Sequence, residues 1–367
     1  MLHYRKEDVV VKKYKVQNAS VRLFIKTFFI SVVVVLLLGG IGWLVIGNTV
    51  RPPVVPNIAV ANIYAQTIDI KDNELQNYTN KENYGLIPPS LIQFEERRPS
   101  FFTFLIFGLT EGLNANTIMV AAYDAELKHG YIISIPRDTQ VDMQRNSRKI
   151  VSAYLVGRLG GRGHDGGVER MKYEVATLVG FKPDFYIGVD YDAFVSLVNA
   201  VGGVEIYVPF HMLYDDPYQN LHINLQQGLQ LLDGEGALHF SRYRTGNDRR
   251  HSISDYRRIE HQQQVLTAVF QKLLTPSSIL RIPELISIFN DYIKTDLAAT
   301  ELLWFANQAR TLGGLDALQL YTLPMLGTSG APNWYELPHK EGILELVNRT
   351  VNPLVRNITE DDLRISR

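Results

Sequence analysis

Hydrophobic and polar positions divide the chain into three stretches of different pattern. Residues 27–47 form one unbroken apolar run, twenty-one positions without a charge, which matches the roughly 20 residues that an α-helix needs to cross a bilayer core. From Arg51 to about Ser100 the apolar positions thin out among Pro52, Pro53, Pro56, Pro88 and Pro89 and a polar run at 71–85. Such a segment buries too little apolar area to fold by itself; it reads as a linker over 48–100, with one strand at 58–64. Beyond it, short apolar runs bounded by Gly, Asn and Asp at 101–107, 117–123 and 131–135 predict buried strands. A helix at about 167–179, a strand at 185–189, a helix at 192–201 and a strand at 204–208 follow. Strands alternating with amphipathic helices predict an α/β fold, a three-layer α/β/α sandwich around a central mixed sheet, preceded by the N-terminal transmembrane helix. One more strand is expected at 318–323, within an extension over 276–367 that completes the domain begun at 101–275.

Composition narrows this picture. At 367 residues and 46% hydrophobic, the chain can bury a large core in one or two domains. A net charge of -1 speaks against general nucleic-acid binding, since the positive charge sits in patches. With no cysteine, thiolate catalysis, disulfides and cysteine-ligated metals are excluded. Before the apolar run, Arg5, Lys6, Lys12, Lys13, Lys15, Arg22 and Lys26 outnumber Glu7 and Asp8, which makes residues 1–26 a cytoplasmic tail. The protein is therefore expected in the cell membrane as a single-pass protein with everything after residue 50 outside. A cleaved signal peptide fits less well, because the run exceeds an ordinary signal h-region and no small-x-small site follows it.

The chemistry concentrates at 232–266, where Arg242, Arg244, Arg249, Arg250, Arg257 and Arg258 fall within seventeen positions. Asp255, Arg258 and Gln262 share a helical stripe that continues as Leu266, Val269 and Leu273. A core-facing stripe that is polar at one end and apolar below predicts a lined pocket. Ser254 is the expected N-cap, so backbone N–H groups and the positive end of the helix dipole add to the arginines. With Arg242-Tyr243-Arg244 extended, both guanidinium groups project to one side and each can grip phosphate oxygens. Arg250 and Arg257 are assigned to solvent. Against this stands the plainer reading of a solvated basic loop leading into a surface helix.

Two loops add candidates. Pro136-Arg137-Asp138-Thr139 emerges directly from a buried strand. The glycine-rich stretch 157–167 precedes a helix and reads as a mobile lid, since it has no P-loop spacing. His164 is a lone histidine within it and reads as structural, not as a catalyst or ligand.

Ser-Ile-Pro-Arg-Asp-Thr (134–139), Val-Asn-Ala-Val-Gly-Gly-Val-Glu-Ile-Tyr-Val (198–208), Leu-Asp-Gly-Glu-Gly-Ala-Leu (232–238), Arg-Tyr-Arg (242–244) and Asp-Tyr-Arg-Arg-Ile-Glu-His-Gln-Gln-Gln-Val-Leu (255–266) occur in that order. Together they resemble the LytR-CpsA-Psr family of cell-wall glycopolymer ligases, over about residues 101–275. The resemblance implies a phosphotransferase that takes a glycan from a polyprenyl-pyrophosphate carrier and attaches it to peptidoglycan. It implies pyrophosphate ligands at Arg137, Lys149, Arg242, Arg244, Arg258 and Gln262, with Asp255 and Arg137 catalytic, Asp255 orienting an arginine or accepting a proton. Charge neutralisation and positioning are also what phosphoryl transfer demands of a protein.

The resemblance further implies Mg2+ at two family metal positions, which here are Thr110 and Asn116. A hydroxyl and an amide stand where the family usually has carboxylates, and both are poor donors to a hard dication. Glu111 offers a carboxylate one position on. A second reading follows from that departure: a non-catalytic binding protein for polyprenyl-linked intermediates. The expected partners are the lipid-linked glycan, peptidoglycan and the membrane, and no nucleic acid.

Overall fold

The structure is a computed structural model that describes residues 51–55, 59–61, 92–94 and 96–365 apart from 111–112, 142–147, 248, 276–286, 289–290, 310–311, 313 and 331–333. The predicted span at 27–47 and most of the linker lie outside the described residues. Among the described residues no helix is long and apolar enough to cross a membrane. The chain divides between Arg51 and Pro52, and the elements below all belong to the second unit.

Two short strands, β1 (Ala59–Ala61) and β2 (Ile92–Phe94), pair antiparallel ahead of the core. The central sheet is built from β3 (Phe101–Leu109), β4 (Ala115–Asp124), β5 (His129–Ser134), β6 (Phe185–Val189), β11 (Lys294–Thr295) and β12 (Leu318–Thr322), in the order β11-β6-β3-β4-β5-β12. It is mixed: β3 runs parallel to β6 and β5 to β12, while β4 is antiparallel to both its neighbours. The apolar runs of β3 and β4 are continuous because both faces of the sheet are covered. Phe101, Leu105 and Phe107 face α1 (Ala153–Gly157), α2 (Gly163–Val179) and α7 (Lys340–Thr350). Phe102, Phe104 and Met119 face the other way, towards Leu266, Leu302 and Phe305 of α5 (Asp255–Leu273) and α6 (Ala299–Ala309).

The strand expected at 204–208 forms, yet it does not join this sheet. As β7 (Val204–Val208) it pairs with β10 (Gly228–Leu232), and β8 (Met212–Asp216) pairs with β9 (Leu221–Leu225). These ribbons pack with α3 (Tyr191–Ala200), α4 (Gly234–Arg242) and α5 in a second core around Val204, Ile206, Phe240 and Val265. A last hairpin pairs β13 (Met325–Thr328) with β14 (Glu336–Pro338). The alternation of β7 is buried-exposed, which marks a half-covered ribbon rather than a sheet centre.

The end of the predicted linker is drawn into the fold. Arg97 pairs at 2.6 Å with Asp184, whose side chain is 5% exposed, and Asp184 also accepts hydrogen bonds from Thr103 N and Oγ1 at 2.8 and 2.7 Å. Arg98 reaches Asp124 at 2.6 Å.

The glycine-rich stretch 157–167 is helical, contrary to the loop expected there. It runs from α1 through a wide turn at Arg158–Arg162 into α2. Two of its glycines permit close backbone contact: a Cβ on Gly157 would lie 2.1 Å from the Gly166 carbonyl oxygen, and one on Gly166 would lie 2.6 Å from that of Gly157. His164 is fixed between two tyrosines, with Nδ1 2.7 Å from Tyr154 Oη and Nε2 3.0 Å from Tyr186 Oη. Burial and the cationic Lys294 push its pKa down, so it is neutral at pH 7.

Gly157→Ala is expected to destabilise by about 1–3 kcal/mol, because backbone stands where the methyl group must go. Gly160→Ala, with open space around it, is expected to be neutral or to stabilise by up to about 1 kcal/mol. Thermal melts of the two variants compare them directly; equal losses would contradict close backbone packing of α1 on α2.

Candidate functional site

The sheet, α3, α4, α5 and α6 enclose a cavity of about 1680 Å³, above the roughly 300–1,000 Å³ of most small-molecule sites. Its body is apolar, lined by Ile132, Leu266, Val269, Leu302 and Phe305 among others. Its polar end gathers Arg137, Arg242, Arg244, Arg249 and Arg258 with Gln262, Thr110 and Asn116. Among the described lining residues the one carboxylate is Asp190, and its oxygen is occupied in capping α3 through Ala193 N at 2.9 Å. The cavity therefore offers an anionic head several guanidinium groups and an apolar tail a dry wall.

The stripe of α5 is oriented as its periodicity predicts. Ser254 caps the helix, accepting from Arg257 N at 3.2 Å. Arg258, Gln262, Leu266, Val269 and Leu273 all line the cavity, polar first and apolar below. Arg257 points outward with its side chain 69% exposed and pairs with Glu260 at 2.8 Å. Arg258 is 5% exposed. Burial lowers its pKa to about 10, with Arg137 and Arg244 adding to the fall and Asp255 opposing it, which leaves it charged at neutral pH.

Asp255 stands between two of these cations, 2.6 Å from Arg258 Nη2 and 3.5 Å from Arg137 Nε. It lies behind them and does not itself line the cavity. Arg137, in the turn after β5, also donates from Nη1 to Asn116 Oδ1 at 3.2 Å and has Asp138 4.0 Å from its Nε. Lys149 is set back from the wall and holds Asp138 at 3.0 Å. The charges thus alternate from Lys149 through Asp138, Arg137 and Asp255 to Arg258.

Arg242-Tyr243-Arg244 is not a strand. Arg242 ends α4, and the chain leaves the helix at Tyr243, whose backbone turns to φ -56°, ψ 133°. Both arginines still line the cavity, because buried Tyr243 anchors the exit by donating to the His251 carbonyl at 2.8 Å. Gly234 brings α4 close to α3, where a Cβ would lie 2.3 Å from the Val195 carbonyl oxygen. Arg242 consequently sits 4.4 Å over the Tyr191 ring, a cation–π contact that orients it.

Sequence reasoning counted Arg249 in the cluster without assigning it to the pocket, and it missed Glu336. Arg249 lines the cavity from a left-handed turn at φ 57°, a conformation that no pattern in the surrounding loop announces. Glu336 of β14 is buried, accepts from Tyr256 Oη at 3.1 Å, and is tied by backbone hydrogen bonds to Asp138 and Gln140 at 3.0 and 2.9 Å. The hairpin β13–β14 thereby braces both the Arg137 turn and the start of α5. Desolvation raises the Glu336 pKa and pushes that of Tyr256 to about 12.

The family metal positions do not fit a dication. Thr110 N and Oγ1 both point at the Asn114 carbonyl oxygen, at 3.1 and 3.4 Å. Asn116 Oδ1 is already an acceptor for a guanidinium. Among the described residues no group of three or more His, Asp or Glu could hold a metal ion; Glu111 lies outside them.

In chemical terms this is an α/β protein whose cavity suits an amphiphile with an anionic head. Residues 62–350 match the LytR_cpsA_psr family, and the chain belongs to it. It is 28% identical over 245 residues to the polyisoprenyl-teichoic acid–peptidoglycan teichoic acid transferase TagV of Bacillus subtilis, covering 65% of this chain and 59% of TagV. It is 27% identical over 234 residues to the transferase of the same description, TagU, of Enterococcus faecalis, covering 61% of this chain and 70% of TagU. The crystal structure of B. subtilis TagV shares the fold with a TM-score of 0.55 at 24% identity, over 69% of this chain and 96% of that one.

Glu336 supplies a pH test. A carboxyl whose folded pKa is raised contributes stability that is fully present below its ordinary value of 4.5 and is lost as pH rises through the folded value. Glu336→Gln keeps an acceptor for Tyr256 and removes the titration. Chemical denaturation from acid to neutral pH is expected to show the variant gaining on the native protein as pH rises; a constant difference would contradict the raised pKa.

Proposed function

We propose that the chain is a membrane-anchored phosphotransferase that attaches a glycopolymer from a polyprenyl-pyrophosphate carrier to peptidoglycan in cell-wall assembly. The observation that carries this reading is the cavity, with arginines at one end and apolar side chains along the rest. The teichoic acid transferase activity named for TagV and TagU supports it.

In this reading Arg242, Arg244, Arg258 and Gln262 hold the pyrophosphate, and Arg137 lies on its flank. A peptidoglycan hydroxyl oxygen bonds to the phosphorus that carries the glycan. The bond from that phosphorus to the bridging oxygen breaks, its electron pair leaves with polyprenyl phosphate, and the hydroxyl proton is released. Guanidinium groups favour the step by meeting the charge that builds on the bridging and equatorial oxygens. Asp255 is best suited to fixing Arg137 and Arg258, since both already engage it. Lys149 acts through Asp138.

A second reading, a binding protein that holds lipid-linked intermediates without transfer, is favoured by the uncharged side chains of Thr110 and Asn116. Incubating the purified protein with lipid-linked glycan and peptidoglycan separates the two: covalently attached glycan supports the transferase, and tight binding without attachment supports the binder.

Removing a charge-assisted contact to phosphate costs about 1.5–3 kcal/mol, roughly ten- to a hundredfold in affinity. Arg242→Ala, Arg244→Ala and Arg258→Ala are expected to weaken binding of a short-chain polyprenyl pyrophosphate by that factor. Arg257→Ala, which removes only an exposed pair, is expected to leave it unchanged. Calorimetric titration checks this, with the lipid alcohol as control. Equal losses for Arg257→Ala and Arg258→Ala would reduce the cluster to a diffuse positive surface.

The topology carries its own test. Protease added to intact cells stripped of their wall is expected to digest the part beyond residue 50, and protection of that part would overturn both location and function.

A further inference from the structure

Hard dications select carboxylate oxygens, and a neutral amide or hydroxyl serves only as a supplementary ligand. At the cavity edge formed by the ends of β3 and β4, the side chains at the two family metal positions are the Thr110 hydroxyl and the Asn116 amide. Neither is free: Thr110 Oγ1 donates to the Asn114 carbonyl at 3.4 Å, and Asn116 Oδ1 accepts from Arg137 Nη1 at 3.2 Å. A dication bound to Asn116 Oδ1 would meet the guanidinium that now holds this oxygen, and at such range like charges repel by several kcal/mol in a protein interior.

Asn116 is, conversely, the right partner for Arg137. An aspartate at this position would draw Arg137 into a full ion pair and cancel its charge towards a ligand. The amide orients the guanidinium through one hydrogen bond and adds no further negative charge to the Asp255 and Asp138 carboxylates that already flank it. Arg137, Arg242, Arg244, Arg249 and Arg258 then face the polar end with Asp190 as the one described carboxylate on the wall, enough positive charge to neutralise a pyrophosphate.

We propose that this chain binds its pyrophosphate-bearing ligand without a divalent cation, Arg137 oriented by Asn116 standing where the family resemblance puts magnesium. The identity of the ligand rests on the function proposed above; the misfit of Thr110 and Asn116 to a dication does not. The two are tested apart, on the full chain in detergent micelles.

The cation site is read by electron paramagnetic resonance of added Mn2+ with no lipid present. The native protein is expected to leave the free Mn2+ signal unchanged, and the double variant Thr110→Asp, Asn116→Asp to bind the ion. Uptake of one Mn2+ per chain by the native protein, abolished by Asn116→Ala or by Glu111→Gln, would overturn the proposal. The single variant Asn116→Asp serves if the double variant fails to fold by circular dichroism.

The ligand is read by titrating a short-chain polyprenyl pyrophosphate in EDTA and in Mg2+. The native protein is expected to bind equally in both, and Asn116→Asp to bind roughly tenfold more weakly in EDTA than in Mg2+. Native binding that disappears in EDTA and returns with Mg2+ would also overturn the proposal. Absence of binding in both buffers would remove the proposed function and leave the Mn2+ result to decide the cation site.

Discussion

The polar end of the cavity depends on one carboxylate shared by two guanidinium groups. Arg137 comes from the turn after β5 and Arg258 from the first turns of α5, and without a counter-charge they would repel each other by a few kcal/mol at an effective dielectric near 20. Asp255 lies 2.6 Å from one and 3.5 Å from the other, so it holds a sheet-edge loop and a helix N-terminus in register. The charge is not balanced locally, because further arginines join from α4 and the loop after it. That surplus is the physical basis for expecting an anion there; the lowered pKa of Arg258 records its burial first and the neighbouring Arg137 and Arg244 second.

The arginine turn is held from outside as well as from within. The β13–β14 hairpin contributes Glu336, whose backbone pairs with Asp138 and Gln140 while its carboxylate takes the Tyr256 hydroxyl. Tyr256 follows Asp255 in α5. The two segments that Asp255 joins electrostatically are thus also joined by hydrogen bonds through a third segment far along the chain, and truncating the hairpin would loosen both.

The apolar body of the cavity has a different origin. Leu266 on α5 and Leu302 and Phe305 on α6 close over one face of the sheet together with Phe102 and Phe104. The opposite face is filled by α1, α2 and α7, where glycines 157 and 166 allow backbone contact and leave no comparable space. One face of the same sheet packs solid and the other stays open, which sets the cavity on a rigid floor.

Local periodicity determined much of this molecule. The apolar runs that became β3, β4 and β5 were legible because strands covered on both faces carry no polar alternation. The stripe of α5 was legible because helical geometry places Asp255, Arg258, Gln262 and Leu266 on one side whatever surrounds them. The ordered motifs pointed to the family for the same reason, being short and contiguous. The tertiary structure decided what depends on partners distant in sequence. It took β7 out of the central sheet, ended α4 at Arg242 where an extended segment was expected, and made a helix of the glycine-rich stretch. It set Lys149 behind Asp138, brought Arg249 to the wall and Glu336 beneath Tyr256, and gave the Asn116 oxygen to Arg137. No residue in those pairs carries a signal of its own, since a glycine suits a mobile loop or a tight helix contact equally well, and which applies is fixed only when another segment arrives beside it.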